Sequence, residues 1–210
     1  MGLEVLLISG GVESTTLLAQ AVARGHSVLP LFVDYGQRAA ARERAVVREQ
    51  CRHHGLEPVE LDMAAVGRAF RDRQVQKPHV PTPHRNLILL SLAVALAEQE
   101  GAETVSLALI RDDGGWYPSA TPEFLTAFEA TAATLGAVTI RTPLRALSKT
   151  DVIILAHELG VDLEDTYSCL LGYARHCGAC PQCRKRQAAF AAAGLAEPPG
   201  FYRLEEINGR

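Results

Sequence analysis

Two stretches of this chain combine residue types that do chemistry. The first is Ser9-Gly-Gly-Val-Glu-Ser-Thr15, which follows the apolar run Leu3 to Ile8. Strand, glycine turn and hydroxyl-rich helix start together offer backbone N–H groups and a positive helix end to an anion. Gly10 and Gly11 let the backbone approach a phosphate, Ser9, Ser14 and Thr15 add hydroxyl donors, and Glu13 brings a carboxylate. The string fits neither GxxxxGK[ST] nor GxGxxG.

The second stretch is Cys169, then Cys177-Gly-Ala-Cys180-Pro-Gln-Cys183. Two overlapping CxxC pairs set three sulfurs around one point, and a fourth from a preceding loop completes a tetrahedron, as in a closed structural Zn²⁺ site. A [4Fe–4S] cluster competes, because CxxCxxC also occurs in ferredoxin-type runs, although those place the fourth Cys downstream. Free or redox thiols are a third reading. His176 offers an alternative fourth ligand, strained by its adjacency to Cys177. The fifth cysteine, Cys51, sits among apolar helix positions and reads as core packing.

Other candidates lie at turns. Asp34-Tyr-Gly-Gln-Arg38 closes a second buried run, Ser27 to Val33. In a doubly wound sheet it lies beside the first glycine turn, which puts Asp34, Tyr35 and Gln37 near a bound nucleotide. The loop 111–119 carries Asp112, Asp113, Trp116 and Tyr117, an aromatic face with carboxylates suited to a flat, donor-bearing heterocycle. Lys149 stands at a helix start where Ser148 and Asp151 resemble a capping box, within reach of a phosphate or carboxylate. Residues 71–86, with three prolines and two histidines, read as a long irregular segment.

The elements that must position these groups alternate along the chain. Strands are expected over 3–8, 27–33, 58–61, 104–110 and 138–142, and helices from 14 to Gly25 and over 39–54, 64–70, 87–100, 123–135 and 150–159. Such alternation implies a doubly wound α/β fold with a parallel sheet, followed by a C-terminal zinc-binding segment. Pro30 suggests irregular or edge pairing in its strand. Residues 1–160 are expected to form the nucleotide-binding domain and 161–210 the four-cysteine segment packed on it.

The bulk numbers agree with one such unit of 210 residues, 48% hydrophobic, with a formal charge of −3. The acidic balance argues against a broad nucleic-acid surface. With no apolar run of membrane-spanning length and no cleavable leader pattern, a cytoplasmic protein without membrane contact is expected. Crowded cysteines in a reducing compartment suggest metal rather than disulfides.

The string SGGVEST resembles the SGGxDS loop of the ATP pyrophosphatases, which adenylate a substrate and release pyrophosphate. Together with DYGQR at 34–38, Arg85-Asn86-Leu87 after VPTPH, Tyr117-Pro118, TPL with Lys149 at 142–149 and the C-terminal cysteines, it is similar to the 7-cyano-7-deazaguanine synthase family over nearly the whole chain. The resemblance implies an ATP-driven reaction at 7-carboxy-7-deazaguanine. The carboxylate is adenylated, ammonia displaces AMP to give the amide, and a second ATP drives dehydration to the nitrile. It also implies Mg²⁺ on the phosphates, structural Zn²⁺, a homodimer, Ser14, Arg85 and Lys149 as catalytic residues, and Arg85, Asn86, Asp112, Asp113, Trp116 and Tyr117 around the substrate.

Departures from the family pattern cluster at one end. The family's loop Asp is Glu13, the His after DYGQR is Ala39, VPGRN is expanded to VPTPHRN, and YPDCR reads Tyr117-Pro-Ser-Ala-Thr121. These changes suggest a specialised paralogue that stops at the amide or joins the deazapurine to another amine, such as a protein terminus. A sulfur-transfer enzyme acting on tRNA needs a basic face that the composition lacks. A nucleotide-binding scaffold gives no reason for the whole SGGVEST string.

Overall fold

The computed structural model describes residues 2–73, 82–115, 117–136 and 138–203. Five strands, β1 Leu3–Leu7, β2 Ser27–Asp34, β3 Val59–Asp62, β4 Thr104–Leu107 and β5 Thr139–Arg141, form one sheet in the order β3-β2-β1-β4-β5. Every pairing is parallel. The strand order reverses between β1 and β4, which opens a crevice beyond their carboxyl ends.

Alternate strand residues feed two cores, as a sheet buried on both faces requires. Val5 and Leu7 of β1, with Leu31 and Val33 of β2, pack on helices α4 (Arg85–Glu100) and α5 (Pro122–Ala132). Leu6, Ile8, Val28 and Phe32 pack on α1 (Val12–Ala23), α2 (Ala40–His53), α6 (Lys149–Glu158) and α7 (Pro181–Ala192). The faces follow from handedness: crossovers running β1 to β3 set their helices on one side, and those returning through β4 to β5 on the other. Helix α3, Ala64–Arg71, follows β3.

Most expected boundaries hold to within a few residues. Helix α4 starts at Arg85, so Arg85 and Asn86 belong to a helix rather than to the irregular segment expected over 71–86. Half of that segment, 74–81, lies outside the described residues. Pro30 lies opposite Leu6, and β3 begins opposite Leu31, so at Pro30 the strand has a ladder neighbour on one side only. A missing N–H is tolerated there. Cys51 is fully buried in the second core.

The C-terminal segment is tied down by Arg186, which is 0% exposed. Its guanidinium donates to Glu197 Oε1 at 2.5 Å, Thr166 Oγ1 at 2.6 Å and the Leu163 carbonyl at 2.6 Å, and it lies over the rings of Phe190 and Phe201. A buried charge with this many partners orders the strand of chain that enters the cysteine cluster. Among the described residues no helix is long and apolar enough to cross a membrane.

Candidate active site

Helix α1 begins at Gly11 with no side chain capping it, which leaves its first-turn N–H groups facing the crevice. Gly10 has φ +72°, and a Cβ there would sit 2.7 Å from Val46 Cγ1 of α2. Only glycine serves such a left-handed turn pressed against a helix. Ser14 locks the loop: its Oγ accepts from the Ser9 N–H at 3.2 Å and donates to the Gly11 carbonyl at 3.2 Å. Thr15 Oγ1 is buried without a partner among the described residues.

A cavity of about 230 Å³ opens beside this loop. Ser9, Gly11, Glu13 and Ser14 form one wall, Tyr35, Gln37 and Glu43 another, and Arg85, Asn86, Asp113 and Tyr117 a third. Lys149 also lines it, with Tyr167, Ser168, Leu170 and Gln182 of the C-terminal segment. Residues from both ends of the chain thus meet at the sheet's reversal point.

Several charges are already paired. Lys149, in the first turn of α6, makes an ion pair with Glu13. Burial raises the Glu13 carboxyl, but the ammonium of Lys149 outweighs it and holds the group below its usual range. The capping box before Lys149 is present, with Asp151 N donating to Ser148 Oγ at 3.1 Å and Ser148 N to Asp151 Oδ2 at 2.8 Å. The Arg85 guanidinium lies 4.8 Å from the centre of the Tyr117 ring. Asp113 accepts from Ile110 N at 3.0 Å, and burial pushes its carboxyl up.

Not every expected residue reaches the cavity. Asp34 does not line it: its carboxylate takes Gly36 N at 3.0 Å and Arg44 Nη2 at 2.8 Å, and so shapes the turn that carries Tyr35 and Gln37. Gly10 and Thr15 stand behind the loop, and Asp112 is exposed away from the wall. Trp116 lies outside the described residues. Ser119 and Ala120 are buried, and Thr121 caps α5 through its Oγ1, so none of the altered positions 119–121 lines the cavity. Ala39 is packed with the cysteine cluster.

The sequence reading passed over Glu43, Tyr167, Ser168 and Gln182. Glu43 sits in the first turn of α2, six residues after Gln37, in a stretch whose alternating Arg and Glu look like an ordinary solvated helix. The other three arrive from the C-terminal segment, and nothing local in their sequence announces that approach.

The four sulfurs of Cys169, Cys177, Cys180 and Cys183 lie within 4.8 Å of one another. Tetrahedral bonds of about 2.3 Å to Zn²⁺ place ligand sulfurs about 3.8 Å apart, and Cys177 Sγ and Cys183 Sγ are 3.8 Å apart. Backbone N–H groups of Ala179 and Cys180 point at Cys177 Sγ at 3.3 and 3.2 Å, as suits a thiolate. The Cys183 thiol donates to Cys169, which holds Cys169 down to about 4 and pushes Cys183 up. Four thiolates gathered this closely would need a cation among them. His176 is no ligand: its Nε2 accepts from Ser168 N at 2.9 Å, its ring stacks on Phe201, and burial pulls its pKa down to about 3.

The family model of the queuosine biosynthesis protein QueC matches residues 4–194. The chain is 36% identical over 218 residues to the 7-cyano-7-deazaguanine synthase of Pseudomonas savastanoi pv. phaseolicola, covering 94% of this chain and 95% of that one. It is 34% identical over 214 residues to the synthase of the same name from Methanospirillum hungatei, covering 92% and 97%. Among solved structures, NMN synthetase from Francisella tularensis matches with TM-score 0.58 at 16% identity, covering 99% of this chain and 82% of that one. The U34-tRNA thiolase of Methanococcus maripaludis matches with TM-score 0.56 at 15% identity, covering 99% and 72%. At those identities the likeness is one of fold. With its glycine loop, cysteine cluster and near-complete alignment, this chain belongs to the family of the queuosine biosynthesis protein QueC.

Proposed function

We propose that this protein is a 7-cyano-7-deazaguanine synthase, which adenylates 7-carboxy-7-deazaguanine with ATP, aminates it with ammonia and dehydrates the amide to the nitrile with a second ATP. One observation carries the reading: the anion-binding loop of α1 and the cation Arg85 open onto the same cavity. Triphosphate and carboxylate can therefore be held face to face there, and positioning of this kind supplies much of the barrier reduction in a group transfer.

In this reading the first-turn N–H groups of α1 and Ser14 hold the phosphates, and Arg85 orients the carboxylate toward the α-phosphorus. Lys149 neutralises Glu13, so that the loop presents net positive potential to ATP. Mg²⁺, when bound with ATP, would neutralise further charge on the phosphates, while Glu13 stays paired with Lys149. Tyr117, under Arg85, and Asp113 form the wall for the heterocycle. Cys169, Cys177, Cys180 and Cys183 would hold a structural Zn²⁺, which would brace Ser168 and Leu170 where they line the cavity.

The sequence departures at 119–121 do not favour a separate activity, because those side chains are spent on the core and on capping α5. The test is product analysis by mass spectrometry with ATP, Mg²⁺, 7-carboxy-7-deazaguanine and ammonia. Nitrile, AMP and pyrophosphate support the reading, whereas ADP and phosphate overturn it. A reaction that ends at the amide revives the specialised paralogue.

A further inference from the structure

Glu43 is a carboxylate on the cavity wall with no task in the scheme above. Its position is fixed from two sides. The Glu43 carbonyl lies 3.3 Å from where a Cβ of Gly10 would stand, so its helix turn is seated on the phosphate loop. Its carboxylate is oriented by Gln37, whose amide has no freedom: Tyr35 N donates to Gln37 Oε1 at 2.9 Å, and Gln37 Nε2 donates to Val33 O at 3.3 Å. The remaining Nε2 hydrogen goes to Glu43 Oε2 at 2.8 Å. Glu43 Oε1 meets no hydrogen-bond donor among the described residues and belongs to a side chain that lines the cavity.

The surroundings disfavour a resting charge on this group. Burial pushes the Glu43 carboxyl up to about 7, against the Gln37 hydrogen bond and the Arg85 guanidinium, which pull it down. Asp34, on the β2 side, pushes it up further. Tyr35 faces it from the same turn, and burial keeps that phenol protonated. Arg44, on the same helix, is turned away to Asp34 and Glu60. A carboxylate poised near neutrality with one free oxygen suits a group that takes up and returns a proton.

We propose that Glu43 is the proton acceptor for the amine in the amination step. The inference rests on the adenylation reading above. As the ammonia lone pair forms the C–N bond to the acyl carbon, the acyl C–O bond to phosphate breaks and AMP leaves with that electron pair. One proton passes from the nitrogen to Glu43 Oε1 and then to solvent, leaving a neutral amide. Glu43 lines the cavity that the phosphate loop and Arg85 also line, and Gln37 holds one of its oxygens, which leaves the other as the acceptor.

The test uses Glu43→Gln and Glu43→Asp in the full chain, with two readouts. Pyrophosphate exchange into ATP, with 7-carboxy-7-deazaguanine and no amine, reports adenylation. Amide formation with ammonia as a function of pH reports amination. In the Gln variant exchange should stay within about threefold while amide formation falls about 100-fold or more, the usual range for a lost general base. At constant free-NH3 concentration, the rise of the wild-type amination rate with pH, centred near 7, should vanish in Glu43→Gln and reappear, displaced, in Glu43→Asp. Wild-type amination rates and pH profile in the Gln variant overturn the proposal. So does an equal loss of exchange and amination, which assigns Glu43 to the loop's architecture. Absence of exchange in the wild-type protein overturns the adenylation reading and this inference with it.

Discussion

The backbone N–H of Tyr167 donates to the carbonyl of Gly10 across 2.7 Å, joining the segment that enters the cysteine cluster to the phosphate loop. Tyr167 is anchored in turn by its hydroxyl, which donates to the Tyr173 carbonyl at 2.8 Å, and Cys169 follows two residues later. Gly10 has no side chain with which to hold its own turn, so part of the loop's shape is supplied from the far end of the chain.

Metal removal should therefore weaken nucleotide binding. A net hydrogen bond is worth about 0.5–1.5 kcal/mol, so releasing Tyr167 should cost up to about tenfold in ATP affinity. Calorimetric titration of ATP into untreated, chelator-treated and Cys177→Ala protein would measure this, with elemental analysis giving one Zn²⁺ per untreated chain. Unchanged affinity in metal-free protein would break the proposed link.

Lys149→Met should leave Glu13 as a half-buried carboxylate without its partner. Hydrogen bonds to charged groups contribute about 1.5–3 kcal/mol, and a loss of that order is expected at neutral pH. The sign follows from the depressed Glu13 pKa: the pair's stabilisation is complete above the ordinary carboxylate pKa and disappears as pH falls through the folded value. Wild type and variant should converge on acidification, as read from urea midpoints across pH.

Glu43→Gln should stabilise the fold at alkaline pH even as it harms amination. With its carboxyl pushed up to about 7, the folded chain holds a proton that the unfolded chain has already released. Wild-type stability thus falls as pH rises from the ordinary carboxylate value toward 7, by about 1–3 kcal/mol. The Gln variant lacks that slope, so its advantage should appear above pH 7 and be absent at acidic pH. A midpoint difference independent of pH would contradict the burial of Glu43.

Ser14→Ala removes the acceptor that holds Ser9 N–H and, in the proposed scheme, a hydroxyl that would turn from the Gly11 carbonyl to the phosphates. By analogy with the loss of one oxyanion-hole donor, the adenylation barrier should rise by about 2.7–4 kcal/mol. Pyrophosphate exchange measures it directly, and an unchanged exchange rate would remove Ser14 from the phosphate site.

The parts of this site legible in the sequence were those whose local pattern has one physical use. The string Ser9 to Thr15 reads as an anion loop because strand, glycines and hydroxyls are contiguous, and four cysteines at CxxC spacing have few uses besides metal. Glu43 was illegible because it stands among the alternating Arg and Glu of the first turns of α2, and its place on the cavity wall appears only when α2 folds over Gly10. Asp34 misled for the opposite reason. It stands at the carboxyl end of a strand, where ligands bind, but Arg44, in the second turn of the following helix α2, claims it. The residues after Tyr117 misled too, because a motif shows which side chains differ but not which way they point.

That last point gives a direct test. If positions 119–121 formed the wall for the acceptor, Ser119→Asp, Ala120→Cys and Thr121→Arg together would restore a missing function. In the structure Ala120 is 4% exposed in the sheet core and Ser119 is 4% exposed, with its carbonyl accepting from Asn86 Nδ2 at 3.0 Å. Thr121 Oγ1 accepts from Phe124 N at 3.2 Å as the cap of α5. Loss of that cap alone costs about 1 kcal/mol, and a buried Asp without a partner costs more. The triple variant should therefore unfold at lower urea concentration and make nitrile no faster than wild type, with two ATP consumed per nitrile in both. A variant that makes nitrile where wild type stops at the amide would show that these side chains reach the substrate after all, and would favour the alternative of a specialised paralogue.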